Sequence, residues 1–95
     1  MTLKNDETMI KELYEALLSL STVDETKRFL DDLCTIKEIE AMSQRLRSAK
    51  MLLQGKTYIE IVDETEISSA TLARVSKCVR YGQGGYKDVI DKQKK

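Results

Sequence analysis

No proline interrupts this chain, and its first glycine is Gly55. These two residues are the commonest helix breakers: proline lacks the amide N–H and clashes with the preceding turn, and glycine loses the most backbone entropy on folding. Up to Gly55, helix ends can therefore be set only by polar caps and by the spacing of apolar residues. The chain is also rich in Leu, Glu, Lys and Met and poor in aromatic side chains, a balance that favours helix. An all-α fold is the expectation.

Asn5 or Asp6 can cap a first helix running to about Leu20. Met9, Ile10, Leu13, Leu17 and Leu20 form its apolar stripe, and Tyr14 and Leu18 widen that stripe beyond what one packing partner needs. Thr22 and Glu25 have the spacing of a capping box and open a second helix carrying Val23, Phe29, Leu30 and Leu33. Thr35 and Glu38 repeat that signature for a third. Its stripe of Ile39, Met42, Leu46, Ala49 and Leu53 advances in steps of 3, 4, 3 and 4. Gly55 suits a left-handed cap at its end.

Residues 57–81 read as a helix-turn-helix, two short helices joined by a tight turn. Thr57 caps the first helix and Ser68 the second. Tyr58, Ile61, Val62, Ile67, Leu72, Val75 and Val79 fall where the corner between them must be sealed. Outward positions of the second helix hold Ser69, Ala70 and Ala73, then Arg74, Lys77 and Arg80, with Thr71 among them and no acid. Small residues allow close approach to base edges, and cations meet phosphates or guanines, so this face is the candidate contact for double-stranded DNA. Two positions are unusual: Glu66 stands where such a turn ordinarily has glycine, and Val62 where a small residue lets the helices approach.

Beyond Tyr81, the run Gly82-Gln83-Gly84-Gly85 lacks the Lys-Ser/Thr of a phosphate-binding loop and follows no strand, so it reads as a flexible connector. Val89 and Ile90 can pack back as part of a short helix, and the lysine-rich end is expected to be loose. The organisation expected is one helical domain over residues 1–82 followed by a connector and tail over 83–95.

Sixteen basic and sixteen acidic residues cancel, which argues against a general polyanion binder. Their distribution is uneven. Residues 1–55 hold eight cations and ten acids, and residues 56–95 hold eight and six, so the two parts carry −2 and +2. Glu60, Asp63, Glu64 and Glu66 cluster on the first helix of the motif, whereas the second is purely basic; one face can turn toward DNA while the other is repelled.

The chain has no histidine, and Cys34 and Cys78 are too few and too far apart for a zinc site, so both are expected as buried apolar side chains. With no cofactor loop and no convergent acid, base and nucleophile, an enzyme is excluded; Asp31 and Asp32 are neighbours that diverge by about 100° on a helix. No apolar run approaches a membrane span and no secretion leader opens the chain, so a cytoplasmic protein without membrane contact is expected. So short a chain, with excess apolar surface on its first helix, would be marginal alone, and one helix-turn-helix reads only a half-site. Both arguments lead to a homodimer.

Thr35-Ile-Lys-Glu-Ile-Glu-Ala-Met-Ser-Gln-Arg-Leu-Arg47, then Leu52-Leu53-Gln54-Gly55, then Ser69-Ala70-Thr71-Leu72-Ala73-Arg74 follow in the order of the tryptophan repressor family. The chain resembles that family over about residues 10–82, with one residue missing after Gly55. Its continuation Tyr81-Gly82-Gln83-Gly84-Gly85-Tyr86 is more like the YerC/YecD-type branch of Gram-positive bacteria. The resemblance implies an intertwined all-helical homodimer that represses transcription at a palindromic operator. It also implies a tryptophan corepressor held between two arginines, at positions matching Arg45 and Arg74, beside a threonine matching Thr35. Here the sequence departs from the family. Val75 replaces a glycine and would fill space the indole needs, and Cys78 replaces a serine with a weak hydrogen-bonding group. No cofactor is therefore expected, and Thr35, Arg45, Arg74, Val75 and Cys78 stand as the candidate cleft for an effector of unspecified chemistry. The alternative, suggested by the acidic first helix of the motif and the zero net charge, is a helical protein-interaction module with the same fold and no DNA binding.

Overall fold

The computed structural model describes residues 6–94, and among them it contains six α-helices and no strand. They are α1 (Asp6–Leu18), α2 (Val23–Leu33), α3 (Ile36–Leu53), α4 (Tyr58–Thr65), α5 (Ser69–Tyr81) and α6 (Gly85–Gln93). The all-α expectation holds, and each predicted helix is present. Asn5, one of the two candidate caps of α1, lies outside the described residues, as does Lys95.

The chain divides into a unit ending at Ile36 and a unit beginning at Lys37. In the first unit, α1 stops at Leu18, earlier than the apolar stripe suggests. The Ser19 hydroxyl donates to the Ala16 carbonyl at 2.7 Å, and the Leu20 N–H reaches back only to Leu17, so the last turn tightens and closes. Thr22 caps α2 by accepting the Glu25 N–H at 3.1 Å. The Glu25 carboxylate does not return to Thr22; it accepts the Ser21 N–H at 2.7 Å, one residue earlier than in the usual box. Neither α1 nor α2 has a single buried residue. Leu18 and Val23 are 86% and 84% exposed, and Met9, Ile10, Leu13 and Leu17 are all open to solvent.

The second unit has a core. Ala49 and Met51 of α3, Ile61 of α4, Ile67, Leu72 and Val75 of α5 and Ile90 of α6 form one buried cluster, with Leu52, Leu53, Val62, Val79 and Tyr86 packed around it. α3 ends as its glycine predicts. Gly55 adopts φ +82°, its N–H bonds to the Leu52 carbonyl, and the Lys56 N–H reaches Met51 at 3.0 Å. Those paired bonds satisfy carbonyls that the helix leaves orphaned.

One expectation is corrected here. Cys78 is exposed and Cys34 only half-buried, so neither is a core side chain. Cys78 falls at the edge of the exposed arc of α5, outside the arc that holds Leu72, Val75 and Val79. The stretch after Gly82 forms the short helix expected there: residues 85–93 are helix, α6 packs on α5, and Ile90 is buried, whereas Val89 is exposed.

Candidate nucleic-acid interface

Local chemistry sets the ends of α4 and α5 closely. Thr57 and Glu60 complete a capping box, in which the Thr57 hydroxyl accepts the Glu60 N–H at 3.2 Å and the Glu60 carboxylate accepts the Thr57 N–H at 3.1 Å. These bonds to the Thr57 backbone and hydroxyl, helped by the charge of Lys56, hold the Glu60 carboxyl below its usual range. At the other end of α4, Glu66 adopts the left-handed conformation that the motif register requires, at φ 61° and ψ 18°.

Several bonds hold that strained residue. Its N–H donates to the Val62 carbonyl at 2.9 Å. The Thr65 hydroxyl donates to Ile61 at 2.7 Å and accepts the Ile67 N–H at 3.2 Å, which stitches the turn to the helix before it. Gln44 of α3 adds a bond from its side-chain amide to the Thr65 carbonyl at 3.1 Å. Ile67 then enters the core at 3% exposure. A turn fixed at this many points can keep a non-glycine residue in a conformation costing about 1–2 kcal/mol.

Ser68 opens α5, accepting the Thr71 N–H at 3.2 Å and donating its own hydroxyl hydrogen to the Thr71 hydroxyl at 2.8 Å. Of the sequence-predicted DNA contacts, Thr71 is therefore half-buried and engaged in capping, whereas Ser69, Ala70, Ala73, Arg74, Lys77 and Arg80 are all exposed. Ser69, Ala73, Lys77 and Arg80 succeed one another in steps of 4, 4 and 3 along one face, with Ala70 and Arg74 at its border. Leu72 and Val75 are buried away from that face, and Ser76 is buried at its edge. Arg74, Lys77 and Arg80 take part in none of the ion pairs among the described residues, leaving their charge unspent.

The candidate effector residues differ in exposure. Val75 is 1% exposed within the core, so it does not line an open cleft. Arg45 is half-buried, Arg74 and Cys78 are exposed, and Thr35 belongs to the first unit.

Sequence reasoning missed the contacts that tie α3 to α4. Besides the Gln44 bond, the Arg47 guanidinium meets the Glu64 carboxylate at 2.8 Å. No local pattern announces a pair seventeen residues apart. Both side chains are more than half exposed, so the pair contributes at most about 1 kcal/mol.

Together the six helices, the left-handed turn and the basic face of α5 define an all-helical protein with a Trp-repressor-like fold. Over residues 8–94 the chain matches the family model described as Trp repressor protein, and it belongs to that family. It is 45% identical over 85 residues to the Bacillus subtilis (strain 168) protein named "Uncharacterized protein YerC", covering 90% of this chain and 82% of that one. Two solved structures are close to it. A protein from Staphylococcus aureus, described as a candidate Trp repressor, superposes with a TM-score of 0.89 at 37% identity, covering 97% of this chain and 95% of its own. A TrpR-like protein from Eubacterium eligens ATCC 27750 gives 0.87 at 41% identity, over 90% and 89% of the two chains. The chain is thus a Trp-repressor-like protein of the YerC type, from a family of DNA-binding regulators, and it is not an enzyme. No helix of the described residues is long and apolar enough to cross a membrane.

Proposed function

We propose that the protein is a sequence-specific DNA-binding regulator, a cytoplasmic repressor that acts as a homodimer and reads its operator with α5. One observation carries this reading: α5 presents small residues followed by three unpaired cations on one exposed face, above a base fixed in the core through Leu72 and Val75. Ser69, Ala70 and Ala73 allow the helix to approach base edges, while Arg74, Lys77 and Arg80 supply phosphate or guanine contacts. Thr71 contributes by holding the first turn of α5 to its cap.

The dimer is supported by the first unit. Helices with wide apolar stripes and no buried residue stabilise little by themselves; a second copy covering Met9, Ile10, Leu13 and Leu17 supplies the missing burial. Two copies also give the two half-site contacts that a palindromic operator needs. The burial of Val75 supports a switch other than tryptophan, so any effector is of a different chemistry.

The test is fluorescence anisotropy with duplex fragments recovered by genomic pull-down, read across a salt series. A dimer brings each of the three cations twice, and neutralising about six phosphates weakens binding about 10³-fold between about 50 and 200 mM salt. Replacing Lys77 with Ala should lower the salt slope by about 1 per subunit. Absence of any salt-sensitive duplex binding at low ionic strength would sink the reading. The protein-interaction alternative would then stand if Arg74→Ala with Lys77→Ala left regulation in cells unchanged.

A further inference from the structure

Away from the basic face of α5, the second unit carries another concentration of positive charge that the DNA-reading role does not use. Two adjoining hollows lie along the C-terminal half of α3. One, of about 300 Å³, is lined by Arg47, Lys50, Lys56 and Gln54 over a floor that includes the buried Met51. The other, of about 210 Å³, shares Lys50 and Gln54 and adds Lys94 beside the buried Ile90. Only one acid lines either hollow. It is Glu64, and its carboxylate is already engaged by Arg47 at 2.8 Å.

The end of a helix ordinarily repels an anion, because its last carbonyls carry partial negative charge. Here that repulsion is blunted. The carbonyls of Lys50, Met51 and Leu52 accept the N–H groups of Gln54, Lys56 and Gly55, so the negative end of α3 is turned into internal hydrogen bonds. What lines the hollows besides Glu64 is a rim of ammonium and guanidinium groups with two neutral amides, Gln54 and Gln93, over an apolar floor.

We infer that these hollows form one binding site for a small phosphorylated anion bearing at least two phosphoryl charges. Adjoining chambers that share Lys50 match a diphosphate, with one phosphoryl group toward Arg47 and Lys56 and the other toward Lys94. The larger hollow is at the small end of ordinary ligand sites, about 300–1,000 Å³, which selects a compact ligand. Arg47 supplies the planar fork suited to phosphate oxygens, while Lys50 and Lys56 act as point charges. Binding draws Arg47 away from Glu64, so the ligand competes with an internal carboxylate for the same guanidinium.

That competition gives the inference a signature that general surface charge lacks. The experiment is isothermal titration of the purified protein with inorganic pyrophosphate, without DNA, at moderate salt, with circular dichroism as the folding control. Wild-type protein should bind saturably at one site per chain. Lys50→Ala and Lys56→Ala should each weaken binding about tenfold, the effect of losing about 1.4 kcal/mol from one charge-assisted contact. Glu64→Gln, which removes the competing charge and releases Arg47, should tighten binding several-fold. Arg74→Ala with Lys77→Ala should leave it unchanged, because those residues belong to α5.

Non-saturating heat up to millimolar pyrophosphate would overturn the assignment. So would loss of binding in the Arg74 and Lys77 variant, which would place the anion on α5, or no gain with Glu64→Gln. Should Lys50→Ala and Lys56→Ala weaken duplex DNA binding while pyrophosphate never binds, the groove is a DNA-backbone contact and the ligand site is refuted.

Discussion

The two units of this chain solve the same problem in opposite ways. In the second, caps, turns and apolar positions agree: α3 to α6 end where local hydrogen bonds end them, and each places at least one side chain in a common buried cluster. In the first, the local signals are as good, with Thr22 capping α2 and Lys27 paired to Asp31 at 2.7 Å, yet no residue of α1 or α2 is buried. Caps and exposed pairs contribute about 1 kcal/mol or less each, far below the backbone entropy of ordering a helix. Helical signals alone thus do not make a stable unit. What separates the two regions is whether the apolar stripe has found its partner.

The sharpest way to break this contrast is to remove one side chain from the core. Leu72 is fully buried, and Leu72→Ala should lower the stability of the protein by about 2–5 kcal/mol in chemical denaturation. The matching change in the first unit, Leu18→Ala, removes a side chain that is 86% exposed and should cost much less. If Leu18→Ala proved as damaging as Leu72→Ala, Leu18 would be covered in the assembled protein, and the uncovered part of α1 would have to be redrawn.

Charge on the apolar stripe tests the missing partner directly. Leu13→Glu with Leu17→Glu places two carboxylates where a second copy would pack, and burying unpaired charge is prohibitive. Sedimentation equilibrium should show a dimer for the wild type and a monomer for this variant, with the far-UV spectrum of α3 to α6 largely kept. A wild-type protein that sediments as a monomer at tens of micromolar would remove the homodimer and leave α1 without its explanation.

How legible each part was in the sequence follows the same division. Helix ends could be read because capping is local: Thr22, Thr57, Ser68 and Gly55 act within four residues of themselves. Glu66 could be read because the helix-turn-helix register demands a left-handed residue at that point. Cys78 is exposed because it lies outside the buried arc of α5, a matter of position about which cysteine's general tendency to be buried says nothing. The contacts of Gln44 and Arg47 with α4 were invisible, since they join residues 21 and 17 positions apart and obey no periodicity. As for the basic face of α5, its members were legible by spacing alone, but only the geometry shows that Thr71 is occupied by Ser68.

A smaller effect is expected at the start of α4. Thr57→Ala removes the hydroxyl half of the capping box and should cost about 1 kcal/mol in thermal unfolding. The same box makes a pH prediction. Glu60 is held below its usual carboxylate range in the folded state, so its contribution is present at neutral pH and is lost as pH falls through the folded value. Because Glu60 is fully exposed, the effect is modest, and Glu60→Gln should flatten only the acid limb of the stability profile. An unchanged acid limb in that variant would mean that the box contributes hydrogen bonds without charge.

The smallest expected effect compares Gly55 and Glu66, two of the three left-handed residues of the second unit. Gly55, at φ +82°, ends α3 at no steric cost, and a Cβ added there would meet nothing within 4 Å. Gly55→Ala should therefore cost only backbone strain, about 1 kcal/mol. Glu66 occupies the same region of backbone space at φ 61° and already bears that strain. Glu66→Gly relieves it, but the gain is partly offset by about 0.5–1 kcal/mol of extra chain entropy in the unfolded state, so a net stabilisation of about 0.5 kcal/mol is expected. Removing a carboxylate from the helix-turn-helix should at the same time strengthen duplex binding slightly at low salt and not at high salt. A destabilised Glu66→Gly would show that the Glu66 side chain makes a contact stronger than its backbone strain. The turn would then be held by that side chain as well as by the Thr65 and Gln44 bonds around it.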